Sequence, residues 1–327
     1  MPDDARTDAT VRQESRAVDG PVDLDVAVDV GRVDVHLTAS ADGGQDENGG
    51  ETAQTSGQEV RVEVRHDLAA TGGWAQRLGE VASWLGAVGA GPDGVPDLGD
   101  GGADAVRAAE ISWTEPGPEE ALGLRVRSTS ELPLRMVPLV VTVWAPAGSR
   151  VNARTGAGDV AVDGSAGRAT VRTGAGTAGI GDVSGDADIT TGSGDVSVGA
   201  VGGRARIRTG SGRVTVAALG GTTDVKAGSG DVTLGEVAAD VGVRTGTGAV
   251  QVADARAGRV ELTSGSGALR IGVHAGVLAE LDLSSGSGRA SSDLDVRQSA
   301  PAREPALRLR GRTASGDVLV TRAVVPA

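Results

Sequence analysis

The eighteen residues Thr191–Arg208, TGSGDVSVGAVGGRARIR, decide the fold. They divide into two halves, each a glycine-rich turn followed by an alternating stretch. In the first half Val196 and Val198 fall on one side, with Asp195 and Ser197 on the other. In the second, Ala205 and Ile207 alternate with Arg204, Arg206 and Arg208. Alternation with period two marks a strand with one buried face.

The unit recurs along the chain. A [TSA]-G-[SAT]-G turn puts its second glycine at 158, 176, 194, 212, 230, 248 and 267, five steps of 18 residues and one of 19. Gly288 and Gly316 continue the series at steps of 21 and 28, the last copy degenerate as Thr313-Ala314-Ser315-Gly316-Asp317-Val318. Stacking one unit per coil aligns Val160, Ala178, Val196, Val214, Val232, Val250, Leu269 and Val318 in one inward column. A second column holds Ala169, Ala187, Ala205, Thr223, Val241, Val260, Leu281 and Leu307, in which only Thr223 is polar. Such a fixed short period is the mark of a solenoid. One coil buries four or five aliphatic side chains worth roughly 1.5–3 kcal/mol each. Ordering its backbone costs about 1–2 kcal/mol per residue, so coils fold only when stacked. The expected architecture is all-β, a single-chain parallel β-solenoid of about nine 18-residue coils over 139–323, with N-terminal β-strands and one inserted amphipathic helix.

Upstream, residues 1–17 read as a disordered tail and 18–138 as strands carrying loop and helix insertions at 40–58 and 66–120. Val22 to Ala39 alternates Val and Asp around Gly31-Arg32 and reads as a β-hairpin. Glu59 to Arg65 and Leu122 to Arg127 are further strands, and Gly91 to Gly102 reads as loop. Trp74, Leu78, Val81, Trp84, Leu85 and Val88 share one helical face, predicting a helix over 74–88 that caps or lies on the solenoid. These strands and helix would cap one end, and 289–305 would protect the other.

The tandem T-G-S-G-D-V units, the Ala145–Ser149 segment A-P-A-G-S and the V-x-L-x-V-x-x-D-V-G-x-V-x-V pattern over Val22–Val35 resemble the bacterial putative-adhesin β-solenoid family, a domain of unknown function. The similarity covers about Pro21–Val320, apart from an insertion around Asp67–Glu120. The resemblance implies a right-handed coil. It carries no catalytic residues onto this chain.

Composition narrows the function. Formal net charge is −13, which disfavours nucleic acid and anionic membranes as partners. There is no Cys, Tyr or Phe, and Lys226 is the only lysine. No disulfide framework is available, and stacking platforms for bases or sugars are scarce. Residues 1–17 lack the apolar core of a secretory signal, and no apolar run reaches the roughly 18 residues of a membrane span. A cytoplasmic location is expected, with surface exposure only by another export route.

Three motifs invite chemistry. Glycine-rich nonapeptides can bind Ca²⁺ in their turns, but the residue after Asp195 and Asp231 is an inward Val, so no metal or cofactor is expected. The Gly156-x-Gly158 pair lacks the helix that a dinucleotide fingerprint needs. His36, His66 and His274 show no ligand spacing. On the outward positions, Arg206 falls between Asp188 and Asp224, a favourable cross-strand arrangement. Arg154, Arg172, Arg208, Lys226 and Arg244 form a basic column. With Trp74 and Trp84 they are the candidate partner-binding residues. No paired carboxylates can be assigned to acid/base work. The reading is a non-enzymatic scaffold or binding module that presents a repetitive surface to a macromolecule, most simply a protein. The alternatives are a polysaccharide-acting parallel β-helix enzyme and a self-assembling structural protein whose open ends associate.

Overall fold

A computed structural model of the 327-residue chain describes residues 11–39, 58–67, 101–115, 117, 121–294 and 304–323. The chain is a parallel β-solenoid. Two compact units divide it, Met1–Ala161 and Val162–Ala327. The helix expected over 74–88, with Trp74 and Trp84, lies outside the described residues.

In the first unit the elements are β1 (Val11–Val18), β2 (Asp23–Thr38), β3 (Gln58–His66), the helix α1 (Gly101–Ala108), β4 (Glu110–Thr114), β5 (Gly123–Arg127), β6 (Leu139–Pro146) and β7 (Arg150–Ala157). The expected hairpin over 22–39 is instead one strand, β2, that turns a corner. Its first half pairs in parallel with β5 and β7, and its second half in parallel with β6. Gly31 makes the corner at φ +127°, where a Cβ would lie 1.9 Å from the Leu139 carbonyl oxygen. A hairpin would reverse the chain within one sheet. The corner carries it from one face of the coil to the other, so the alternating valines of both halves point into one core. Val26, Val33 and Val35 are wholly buried.

Residues 11–17, expected within a tail, form most of β1, which pairs antiparallel with β3, itself antiparallel to β6. On the other face β4 pairs antiparallel with β5. Apart from buried Val18, the inward positions of β1 are polar and meet β4 and the residue before it. Trp113 donates its indole N–H to Glu14 Oε2 at 3.1 Å, Arg12 reaches the Ala109 carbonyl at 2.7 Å, and the Arg16 guanidinium stands 5.4 Å from the Trp113 ring. This polar layer closes the apolar core as a capping repeat does. Helix α1, falling partly in a stretch read as loop, buries Ala105 and Val106. Its Gly102 sits so near the His66 ring that a Cβ would be 2.4 Å from Nδ1.

Strand β8 spans Val160–Ala166. The second unit continues with β9 (Arg168–Ala175), β10 (Ala178–Val183), β11 (Ala187–Ser193), β12 (Val196–Val201), β13 (Ala205–Ser211), β14 (Val214–Leu219), β15 (Thr223–Ser229) and β16 (Val232–Val237). Then come β17 (Val241–Thr247), β18 (Val250–Ala255), β19 (Gly258–Ser264), β20 (Leu269–Val273), β21 (Ala279–Ser285), β22 (Ala290–Ser292), β23 (Leu307–Thr313) and β24 (Val318–Arg322). Odd-numbered strands form one sheet and even-numbered strands the other, all parallel. The register follows the 18-residue repeat, with Ala187 beside Ala205 and Val196 beside Val214. Thr223, the polar exception in the inward column, is 3% exposed and donates its hydroxyl to the Gly221 carbonyl at 3.0 Å.

The coil order departs from the sequence order. Strand β23 lies between β19 and β21, and β24 between β20 and β22. The last strands of the chain are therefore seated inside the stack, and 279–292 is the outermost coil. The inward residues explain the order. Leu307, Leu309, Val318 and Val320 are at most 2% exposed. The corresponding positions of the outer coil are Leu281, Leu283, Ala290 and Ser292, fewer and smaller apolar groups, and they are only partly buried or exposed. The seat covered on both sides takes the more apolar coil.

Candidate functional site

The repeat turns come first, because they carry the carboxylates that suggested a cation site. Asp195 Oδ1 accepts the backbone N–H of Arg213 at 2.7 Å, and Asp231 Oδ1 that of Ala249 at 2.9 Å. Asp182, Asp186 and Asp240 do the same for Ala200, Arg204 and Arg259. The backbone carbonyls of Asp195 and Asp231 accept from Ala178 and Val214 of the preceding coil, and their carboxylates accept from the following one. These bonds are exposed, so each contributes only about 0.5–1.5 kcal/mol net, but repeated from coil to coil they join the stack. The role was legible only with the register known, since each Asp serves the residue at its own position one coil on.

The odd sheet of the second unit carries the basic column. Arg208, Lys226 and Arg244 are in-register neighbours on β13, β15 and β17. Thr190 separates Arg208 from Arg172 on one side. Thr263 and then Arg312 follow Arg244 on the other. Of the expected residues, the structure thus brings Arg208, Lys226 and Arg244 together and leaves Arg172 one strand away. Arg154 lies in the first unit, on β7 beside Ala27 of β2.

One carboxylate serves this column. Asp224 Oδ2 is 3.5 Å from Lys226 Nζ, and Asp224 Oδ1 is 3.7 Å from Arg244 Nη1. Arg206 has Asp188 and Asp224 as register neighbours, as the sequence indicated. Yet Asp224 engages Lys226 and Arg244, and Arg206 and Arg208 make no ion pair among the described residues. Asp224 thus serves two of four adjacent cations, and the Lys226 and Arg244 side chains are 48% and 63% exposed. The even sheet contrasts with this. Its outward column runs Gly179, Ser197, Thr215, Thr233, Gln251 without a charge.

A second ionic cluster was invisible to sequence reading. Near the end of β18, where the register with β20 shifts between Val252 and Ala255, Asp254 is 8% exposed. His274 Nδ1 stands 2.9 Å from Asp254 Oδ2, Arg256 Nε donates to the same oxygen at 2.8 Å, and Arg256 Nη2 is 3.0 Å from Glu236. A histidine oriented by a carboxylate needs a nucleophile on its other nitrogen to work as a catalytic base. No hydroxyl is hydrogen-bonded to the His274 ring among the described residues. The cluster neutralises a buried carboxylate at the irregular corner.

In the first unit an open cleft of about 450 Å³ is lined by residues including Arg16, Asp19, Pro21, Glu115 and Leu122. Arg16 pairs with Glu115 there and stacks on Trp113. No group of three or more His, Asp or Glu side chains suited to a metal ion occurs among the described residues. No helix among them is long and apolar enough to cross a membrane.

No family model matches the chain, and no curated protein matches it. Similar solved structures include one from Bacteroides fragilis described as a putative adhesin, 10% identical, with a TM-score of 0.42, covering 95% of this chain and 96% of that one. A second, from Parabacteroides distasonis and likewise described as a putative adhesin, is 10% identical with a TM-score of 0.34 and covers 95% and 98%. A third, from Clostridium sporogenes and described as a putative cell adhesion protein, is 8% identical with a TM-score of 0.20 and covers 95% and 99%.

Proposed function

We infer that this chain is a non-enzymatic binding module whose odd sheet presents a rigid column of cations to an acidic patch on a macromolecular partner, a protein. One observation carries the reading. Parallel, in-register stacking sets Arg208, Lys226 and Arg244 on three adjacent strands of one exposed face, with Arg206 beside them, in a chain of net charge −13. Like charges about 4.8 Å apart repel one another, and Asp224 offsets only some of that. An acidic partner would relieve it, and local positive potential on an acidic chain also orients the encounter. Arg172 extends the column beyond Thr190. The sheet is built from tight turns without excursions, so it offers a surface rather than a substrate cleft.

The test is capture of partners from a bacterial lysate by the wild type and by the Arg208→Glu/Arg244→Glu double variant, with circular dichroism to verify the fold. A protein retained by the wild type and lost from the double variant supports the reading. Equal retention by both rejects it.

A further inference from the structure

The inverted coil order has a consequence for assembly. The seat filled by β23 and β24 is built wholly from residues earlier in the chain, β19 and β20 on one side and β21 and β22 on the other. Its occupant is the chain's own C-terminal coil, connected through residues 293–306. Among the described residues the coil is held by the seat, apart from the pair of Arg308 with Glu304 just before it at 3.1 Å. Leu307, Leu309, Val318 and Val320 fill the core. Leu269 donates its backbone N–H to the Asp317 carbonyl at 2.8 Å, and Thr313 its hydroxyl to the Gly267 carbonyl at 3.0 Å. On the outward face Arg310 Nε lies 2.8 Å from Asp282, Arg312 lies 3.5 Å from the same carboxylate, and Arg308 lies 3.5 Å from Glu280.

We propose that residues 307–322 are an exchangeable donor coil, and that a second copy of this chain is the partner that fits the seat. A coil from another copy has the same sequence, so it would make the same core, backbone and ionic contacts. Exchange of an identical element between copies loses no seat contact and is driven by concentration. The charge pattern selects this occupant. All three outward positions of β23 are arginine, and β21 opposes them with Glu280 and Asp282. The chain also carries a substitute. Residues 279–292 hold the repeat signature Ser285-Gly286-Ser287-Gly288 with Leu281 and Leu283 facing inward. They could settle directly on β19 and β20 when the donor is out.

The test uses the absence of cysteine from the chain. Arg270 and Leu319 are in-register neighbours on β20 and β24. Adjacent strands about 4.8 Å apart lie within the Cα range of about 4.4–6.8 Å that a disulfide spans. Full-length Arg270→Cys and Leu319→Cys chains, one bearing a size tag, are unfolded, mixed at high concentration, refolded and oxidised. The expected result is a covalent dimer with one chain of each kind on a non-reducing gel. A chain carrying both substitutions, oxidised in dilute solution, bridges within itself and shows that the positions can be joined. No mixed dimer beside an efficient internal bridge overturns the proposal. So does a double variant that fails to bridge, which would mean that β24 is not seated beside β20. A dimer on sizing without the mixed disulfide also overturns it, and points to contact through the outer edge of β21.

Discussion

Asp317 Oδ1 accepts the backbone N–H of Arg289 at 2.8 Å, although Arg289 precedes it by 28 residues. At the regular turns the order is the reverse. Asp195 serves Arg213, and Asp231 serves Ala249, each 18 residues later. One local geometry therefore recurs with the chain direction between coils inverted, and it fixes 307–322 beneath 279–292.

The turn carboxylates should matter through their acceptor oxygen rather than their charge. Asp195→Ala leaves the Arg213 N–H to water and is expected to lower stability by about 0.5–1.5 kcal/mol. Asp195→Asn keeps an acceptor in place and should recover most of that loss. Urea unfolding of the three proteins decides it. Equal losses in both variants would show that charge was the operative property.

Turn and strand glycines should differ sharply. At Gly194, φ is +134° and a Cβ would lie 2.0 Å from the Gly176 carbonyl oxygen. Gly194→Ala must strain the backbone and push adjacent coils apart, a loss on the order of 3 kcal/mol or more. Gly179 faces outward with nothing within 4 Å. Gly179→Ala should be neutral or slightly stabilising. The comparison is made by thermal unfolding of the two variants.

The first residue of the turn motif forms a buried column through Thr173, Thr191, Thr209, Ala227, Thr245, Ser264 and Thr313. Among the described residues the hydroxyls of Thr191 and Thr209 are buried with no hydrogen-bond partner, whereas that of Thr313 donates to the Gly267 carbonyl. Ala227 shows that the column tolerates an apolar residue. Thr209→Val, nearly isosteric, is expected to stabilise by about 1 kcal/mol, and Thr313→Val to destabilise by about the same amount. Denaturant midpoints of the two variants, moving in opposite directions, would bear this out.

Acid should loosen the outer coil. The hydrogen bond and charge of Arg310, helped by Arg312, hold the Asp282 carboxyl below its ordinary value of 3.8. A depressed folded-state pKa gives stability that is present above the unfolded value and is lost as pH falls through the folded one. The pairing of 279–292 with β23 should therefore weaken below about pH 4. Pepsin cleavage within that segment should rise with acidity in the wild type. In Asp282→Asn the share of the rise due to this group should vanish.

These outcomes rest on a fold that was largely legible. The 18-residue step, the two inward columns and the strand registers follow from alternation and glycine spacing, because stacked parallel strands leave no other way to cover the aliphatic faces. The corner at Gly31 reads as a hairpin because both arrangements show valines alternating about a glycine. Gly31-Arg32-Val33 is repeated as Gly212-Arg213-Val214 at a coil turn, and that likeness was the available signal. The coil order escapes a sequence reading because 279–285 and 307–313 have the same alternation. Ala290 and Ser292 at inward positions, and the three arginines of β23 facing Glu280 and Asp282, mark the order once the pairing is known. Within the candidate site, the column Arg208–Lys226–Arg244 was legible from the repeat. The capture of Asp224 by Lys226 and Arg244 was not, since side-chain direction on an exposed strand is set by neighbours in three coils.

The most direct measurement is the equilibrium affinity of the captured partner for variants of the two opposite faces, taken over a range of salt concentrations. The account expects Arg208→Glu/Arg244→Glu to weaken binding more than about tenfold, or roughly 1.4 kcal/mol. Added salt should weaken wild-type binding. Thr215→Glu/Thr233→Glu, on the uncharged stretch of the even sheet between Gly179 and Gln251, should leave binding unchanged. Loss of binding in the even-sheet variant, with full affinity in the Arg208/Arg244 variant, would contradict it.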